Sequence, residues 1–134
     1  MKFVYVQPQE IRNVWVYVRG GLCDLLKKTQ EPWIPEDVYA SLVNGKAGLW
    51  LANKDNYTVG FIVGVTVNNA FHVWCASGSL QGEIEVWFEK VEEIARASNA
   101  ERITFDSWRP AWSKVAPKLG FKPRSWAKEI DYGR

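Results

Sequence analysis

At 134 residues the chain has the length of one domain, residues 1–134, and 47% hydrophobic side chains supply a core without metal or disulfide staples. Its 17 Lys and Arg are interspersed with 15 Asp and Glu, a net +2 that argues against a nucleic-acid partner and leaves Lys114, Lys118, Lys122 and Arg124 as a solvated basic edge. Cys23 and Cys75 lack Cys-x-x-Cys spacing and His72 is the sole histidine, which excludes a zinc ligand set and points to two reduced core thiols.

The apolar start, residues 2–6, reads as a strand and is cut off by Gln7-Pro8-Gln9-Glu10, too soon for a signal peptide. No stretch has the length of a membrane span, so no membrane partner and a cytoplasmic location are expected. Pro8 opens a helix with Ile11, Val14, Trp15, Val18 and Leu22 at helical spacing, and Gly20-Gly21 is expected to kink it or split it in two. A short second helix begins at Ile34-Pro35-Glu36-Asp37 and stops at Asn44-Gly45.

From Ala47 the period changes to two. Residues 48–52, 57–67 and 70–76, separated by the turn signals Asn53-Lys54-Asp55-Asn56 and Asn68-Asn69, read as three antiparallel strands. Residues 82–98 form the clearest helix, with Ile84, Trp87, Phe88, Val91, Ile94 and Ala95 on one face. A strand at 102–106 follows; a right-handed crossover puts it parallel to the strand of His72. A last helix, about 110–119, ends at Gly120, and residues 121–130 are expected to give one or two closing strands. This order defines an α/β fold with a mixed, mostly antiparallel central sheet, one parallel β-α-β crossover and flanking helices.

Two segments carry a family resemblance: Ile94-Ala95-Arg96-Ala97-Ser98-Asn99-Ala100-Glu101-Arg102-Ile103-Thr104-Phe105, and Lys114-Val115-Ala116-Pro117-Lys118-Leu119-Gly120-Phe121. With the hairpin series from Ala47 to Ala76 they resemble the cofactor helix, the strand after it, the Leu-Gly-Phe helix end and the central sheet of the GNAT superfamily of acetyl-CoA-dependent N-acetyltransferases. The likeness covers about residues 45–130, and the overall pattern is also similar to small GNAT-like proteins of tailed phages and prophages. It implies a GNAT-like fold, acetyl-CoA as cofactor and an amine, free or on a protein, as acceptor.

In that family an Arg/Gln-x-x-Gly-x-Gly/Ala turn binds the cofactor pyrophosphate at a helix N-terminus. The matching positions are Ser79-Leu80-Gln81-Gly82-Glu83-Ile84, of which only Gly82 is kept. Glu83 adds a carboxylate, and one unit charge about 5 Å from another costs on the order of 3 kcal/mol at an effective dielectric of 20, less where the side chain is screened and mobile. Ser77-Gly78-Ser79 offers an alternative cradle, so the candidate cofactor contacts are Ser77, Gly78, Ser79, Gln81, Gly82 and Glu83. The Tyr that serves as acid in many members is replaced by Ala116, beside Pro117. Asp106, Ser107 and Ser113 are left to hold a water or an amine, and Asp106 also reads as a cap for the next helix.

His72 reads either as a general base or as a structural residue, and alternation along the strand would put it and Cys75 on opposite faces. Trp50, Trp74, Trp87 and Trp112 fit the core, whereas Trp33, Trp108 and Trp126 fall where an aromatic can anchor a partner. Two functions follow: an N-acyltransferase working without a Tyr acid, or a catalytically inert GNAT-like domain acting as a virion component or protein-interaction module. An exposed strand edge near the end of the chain allows a homodimer.

Overall fold

The computed structural model describes residues 1–78, 83–107 and 111–133. A five-stranded sheet in sequential order carries the fold. Strands β1 (Lys2–Val6), β2 (Gly48–Lys54), β3 (Tyr57–Val67) and β4 (Ala70–Gly78) are antiparallel neighbours, and β5 (Arg102–Phe105) lies parallel to β4. The β2–β3 and β3–β4 connections are tight because Asp55, Asn56, Asn68 and Asn69 all take positive φ, between 51° and 69°. That conformation matches the twist of paired strands and is tolerated best by Asn and Asp among non-glycine residues.

Two layers of helix cover the sheet. On one face, α1 (Ile11–Leu26) and α2 (Pro35–Val43) bury Ile11, Val18, Leu22, Val38 and Leu42 against Leu49, Phe61 and Val63. A 3₁₀ turn at Pro8–Glu10 leads into α1, and the Asp37 carboxylate accepts the Ile34 N–H at 3.0 Å to cap α2. On the other face, α3 (Ile84–Ala97) presents Trp87, Val91 and Ala95, each four residues from the next, to Ala52, Ile62 and Phe71. Burying each large side chain stabilises the fold by roughly 1.5–3 kcal/mol before entropy is counted.

The C-terminal corner is aromatic. Helix α4 (Trp112–Val115) tightens into a 3₁₀ turn, Ala116–Leu119, at Pro117, and Gly120 ends it with φ +92°. Phe121 then folds back, its ring centroid 5.2 Å from that of Phe88 and 5.0 Å from that of Phe105, while Trp112 packs edge-on against both Phe88 and Phe105. The Leu-Gly-Phe segment thus turns the chain and supplies an anchor for β5.

Three expectations change. The glycine pair does not split α1, which runs as one helix through Gly20 and Gly21. Gly21 is needed for close approach, since a Cβ there would sit 2.6 Å from Phe61 Cε1 and 3.0 Å from Ser77 Oγ. Residues 121–133 form no strand. Pro123 cannot donate to a ladder, and Trp126, Ile130 and Tyr132 stay exposed, so no burial offsets the cost of ordering them. Trp33 is buried, 8% exposed, and belongs to the core rather than to a partner surface; Trp50, Trp74 and Trp112 are half-buried, while Trp108 and Pro110 lie outside the described residues.

The two neighbouring glycines make a paired test. Gly21→Ala is expected to lower unfolding stability by about 1–3 kcal/mol through overpacking. Gly20→Ala, which meets nothing within 4 Å, is expected to be neutral or to stabilise by about 0.5–1 kcal/mol through helix propensity. Urea unfolding of the two variants measures both.

Candidate functional site

The register around β4 creates a fork. Between β3 and β4 the pairs Val63↔Cys75 and Gly64↔Val73 leave Trp74 as the extra residue of a bulge. Between β4 and β5 the last pair is Val73↔Phe105. From Trp74 to Gly78, then, β4 is held by β3 on one edge only among the described residues. On its other edge the backbone N–H and C=O groups of that stretch have no strand partner among the described residues, which leaves them for a bound molecule to meet.

The bulge also resets the faces. Trp74 and Cys75 both lie on the α1/α2 side, as does His72 opposite Val65, so His72 and Cys75 share a face instead of opposing one another. Cys75 is still no nucleophile. It is 5% exposed, and burial, assisted by the nearby Glu31 carboxylate, pushes its thiol far above the ordinary range.

Beyond the fork β4 ends at Ser77 and Gly78, and α3 begins after Glu83. Gly78 has φ +145°, and a Cβ on Gly60 would fall 2.3 Å from the Ser77 carbonyl and 2.8 Å from Trp87 Cη2. The indole of Trp87 thus lies directly over the two glycines, fixing the start of α3 to the end of β4. Of the other candidate contacts, Ser79, Gln81 and Gly82 lie outside the described residues.

Glu83 does not stand alone at this mouth. Lys54, at the end of β2, donates a hydrogen bond to its carboxylate and forms an ion pair with it. That hydrogen bond, then the Glu83 charge, raises the ammonium pKa, so the pair is intact through neutral pH. Glu83 therefore stands at this mouth with its own counter-ion. Sequence reasoning missed Lys54, although its place at the end of the strand before the β2–β3 turn was the available signal.

A second cluster sits where the fork begins, on the α1/α2 face. His72 Nδ1 is 2.8 Å from Thr104 Oγ1, and His72 Nε2 is 3.8 Å from Asp106 Oδ2. Thr104 was also missed; the parallel register implied by the crossover places it opposite His72. Asp106 lies just past the end of β5 and is 85% exposed; Ser107 and Ser113 both have partners. Trp33 packs edge-on against Trp74 with centroids 6.1 Å apart, forming an aromatic wall beside the fork. Ala116 lies in the 3₁₀ turn and offers no acid. Two surface clefts, of about 480 and 360 Å³, lie elsewhere, one at Arg12 and Tyr39 and the other at Tyr5 and Trp50.

No protein-family profile matches the sequence, and no curated protein matches it. Solved structures do match the fold. A probable acetyltransferase superposes with a TM-score of 0.67 at 13% identity, over 100% of this chain and 98% of that one. Ribosomal-protein-alanine N-acetyltransferase from Brucella melitensis biovar Abortus 2308 gives 0.65 at 11% identity, over 98% and 99%. Aminoglycoside N-acetyltransferase AAC(6')-Iy in complex with CoA gives 0.64 at 13%, over 99% and 95%. The chain has the GNAT fold: a mixed sheet with flanking helices, shared with these acetyltransferases along its whole length.

The two thiols differ testably. Iodoacetamide is expected to label Cys23, which is half-buried, and to leave Cys75 unlabelled in the native protein from pH 7 to pH 9. Both should label in denaturant, with peptide mass spectrometry as the readout.

Proposed function

We propose that this chain is an acyl-CoA-dependent N-acyltransferase. The observation that carries the reading is the fork: β4 continues past its last pairing with β5 and delivers its free backbone edge to the start of α3. A thiol-linked acyl chain can lie along such an edge, and the phosphates of CoA suit a mouth that combines a helix start with the Lys54 ammonium. The acetyltransferase folds found by comparison, one of them solved with CoA, support the same reading.

Ser77, Gly78 and Glu83, with Ser79, Gln81 and Gly82, are the residues assigned to the cofactor. When bound, acetyl-CoA supplies an activated thioester. The chain's part is to hold the amine in line with it, and positioning of this kind can lower a barrier by several kcal/mol. With Ala116 in the place of a Tyr, the departing thiolate is protonated without a side-chain acid from that helix end.

A second reading, a GNAT-like interaction module, is favoured by one feature: Trp126 is 93% exposed in a segment with no helix or strand. Trp33 no longer contributes to it, because it is buried.

Acetyl-CoA at about 100 times its dissociation constant is expected to add roughly 2.7 kcal/mol to the stability of the fold, read as a rise in Tm. No rise at millimolar acetyl-CoA would leave the module reading. Lys54→Met, which removes the cation and exposes Glu83, is expected to weaken CoA by about tenfold or more. Glu83→Gln should change it by less, and isothermal titration ranks the two.

A further inference from the structure

His72 is half-buried at the fork, and its ring is aligned along β5: Nδ1 toward Thr104, inside the paired region, and Nε2 toward Asp106, beyond the last pair. The groups facing it can be named by element. From β3 its neighbour is Val65, from β5 Thr104, and just past β5 Asp106; Glu31, between α1 and α2, bears on Cys75 further along β4. Asp106 is the charged group within 4 Å of the ring among the described residues; Arg102, two residues before Thr104 on β5, is held by Glu101 and the Asn68 carbonyl, and half-buried Trp74, backed by Trp33, adds an apolar surface.

We propose that His72 is the proton acceptor of this site, and that its acceptor substrate is a primary ammonium on an apolar arm; this rests on the acyltransferase reading above. In the tautomer this requires, Nδ1–H donates to Thr104 Oγ1 across the 2.8 Å contact, which leaves the Nε2 lone pair directed toward the mouth of the fork. Asp106 draws the ammonium group in and stabilises the imidazolium that forms. Nε2 takes one proton from the ammonium, freeing the nitrogen lone pair to form the new N–C bond as the C–S bond of the thioester breaks. The nitrogen gives up a second proton, which ends on the released thiol, and His72 returns the first to solvent. One amide, one thiol and one solvent proton result. Thr104 is a positioning residue in this scheme, because it fixes the tautomer without meeting substrate.

His72 is the sole histidine, so its ring is visible alone by ¹⁵N NMR. Its neutral form is expected as the Nδ1–H tautomer in the wild type and as a mixture in Thr104→Val. A neutral wild-type ring protonated at Nε2 overturns the proposal. The kinetic arm uses acetyl-CoA with 2-phenylethylamine, an ammonium at neutral pH, and with 4-methoxyaniline, which is uncharged there. His72→Gln should keep the acetyl-CoA thermal shift, lose about a hundredfold or more in kcat with 2-phenylethylamine together with the acidic limb of its pH profile, and lose far less with 4-methoxyaniline. Asp106→Asn should raise KM for 2-phenylethylamine more than it lowers kcat. Equal turnover by wild type and His72→Gln sinks this inference and leaves the acyltransferase reading standing. No amide from the wild type at any pH, with no acetyl-CoA shift, sinks both.

Discussion

Nine residues of β4 run beside only four of β5, and that mismatch sets the rest of the molecule. A strand in the middle of a sheet normally spends its hydrogen bonds on both neighbours. Here β3 holds β4 throughout, while β5 leaves it after Val73, so the surplus backbone of β4 has no second strand beside it among the described residues. The bulge at Trp74 belongs to the same geometry, since an extra residue bends the strand and increases its local twist. What lies near the gap (Glu83 with its lysine, the His72 ring, the Trp33–Trp74 wall) is positioned by where those two strands part.

Much of the framework could be read from residue patterns. The period-two runs after Ala47, the Asn68-Asn69 turn, the Pro35-Glu36-Asp37 start of α2 and the stripe of Trp87, Val91 and Ala95 gave strands, turn and helices near their observed places. Those signals are local, acting within a few residues through sterics, capping and one-sided burial. Gly20-Gly21 misled because helix propensity argues for a break, while the reason for Gly21 is a ring on another element. Residues 121–130 misled for the opposite reason: their strand-like composition has no partner that rewards pairing.

The site was less legible, and for a different cause. That Lys54 reaches Glu83 depends on where one hairpin end sits over one helix start, a distance of 29 residues in sequence. That His72 and Cys75 share a face depends on a single inserted residue, which no alternation count reveals. In both cases the sequence supplied the chemistry of each group and withheld the pairing. The electrostatic judgement turned on this, because a carboxylate at an anion site is a defect only while its cation is unknown.

The Trp87 ring lying over Gly60 and Gly78 bears on how the gap can change shape. Its edge rests on backbone atoms of two strands, with no side chain between to compress. Tilting α3 outward would break that contact across its whole area, so the ring couples α3 to the end of β4. β5, by contrast, is short, held by a four-residue parallel ladder to β4 and by the Phe105 ring against Phe88 and Phe121. The β5 side of the fork, which carries Asp106, is thus tied to α3 through Phe105 and Phe88, whereas the end of β4 is tied to it through Trp87.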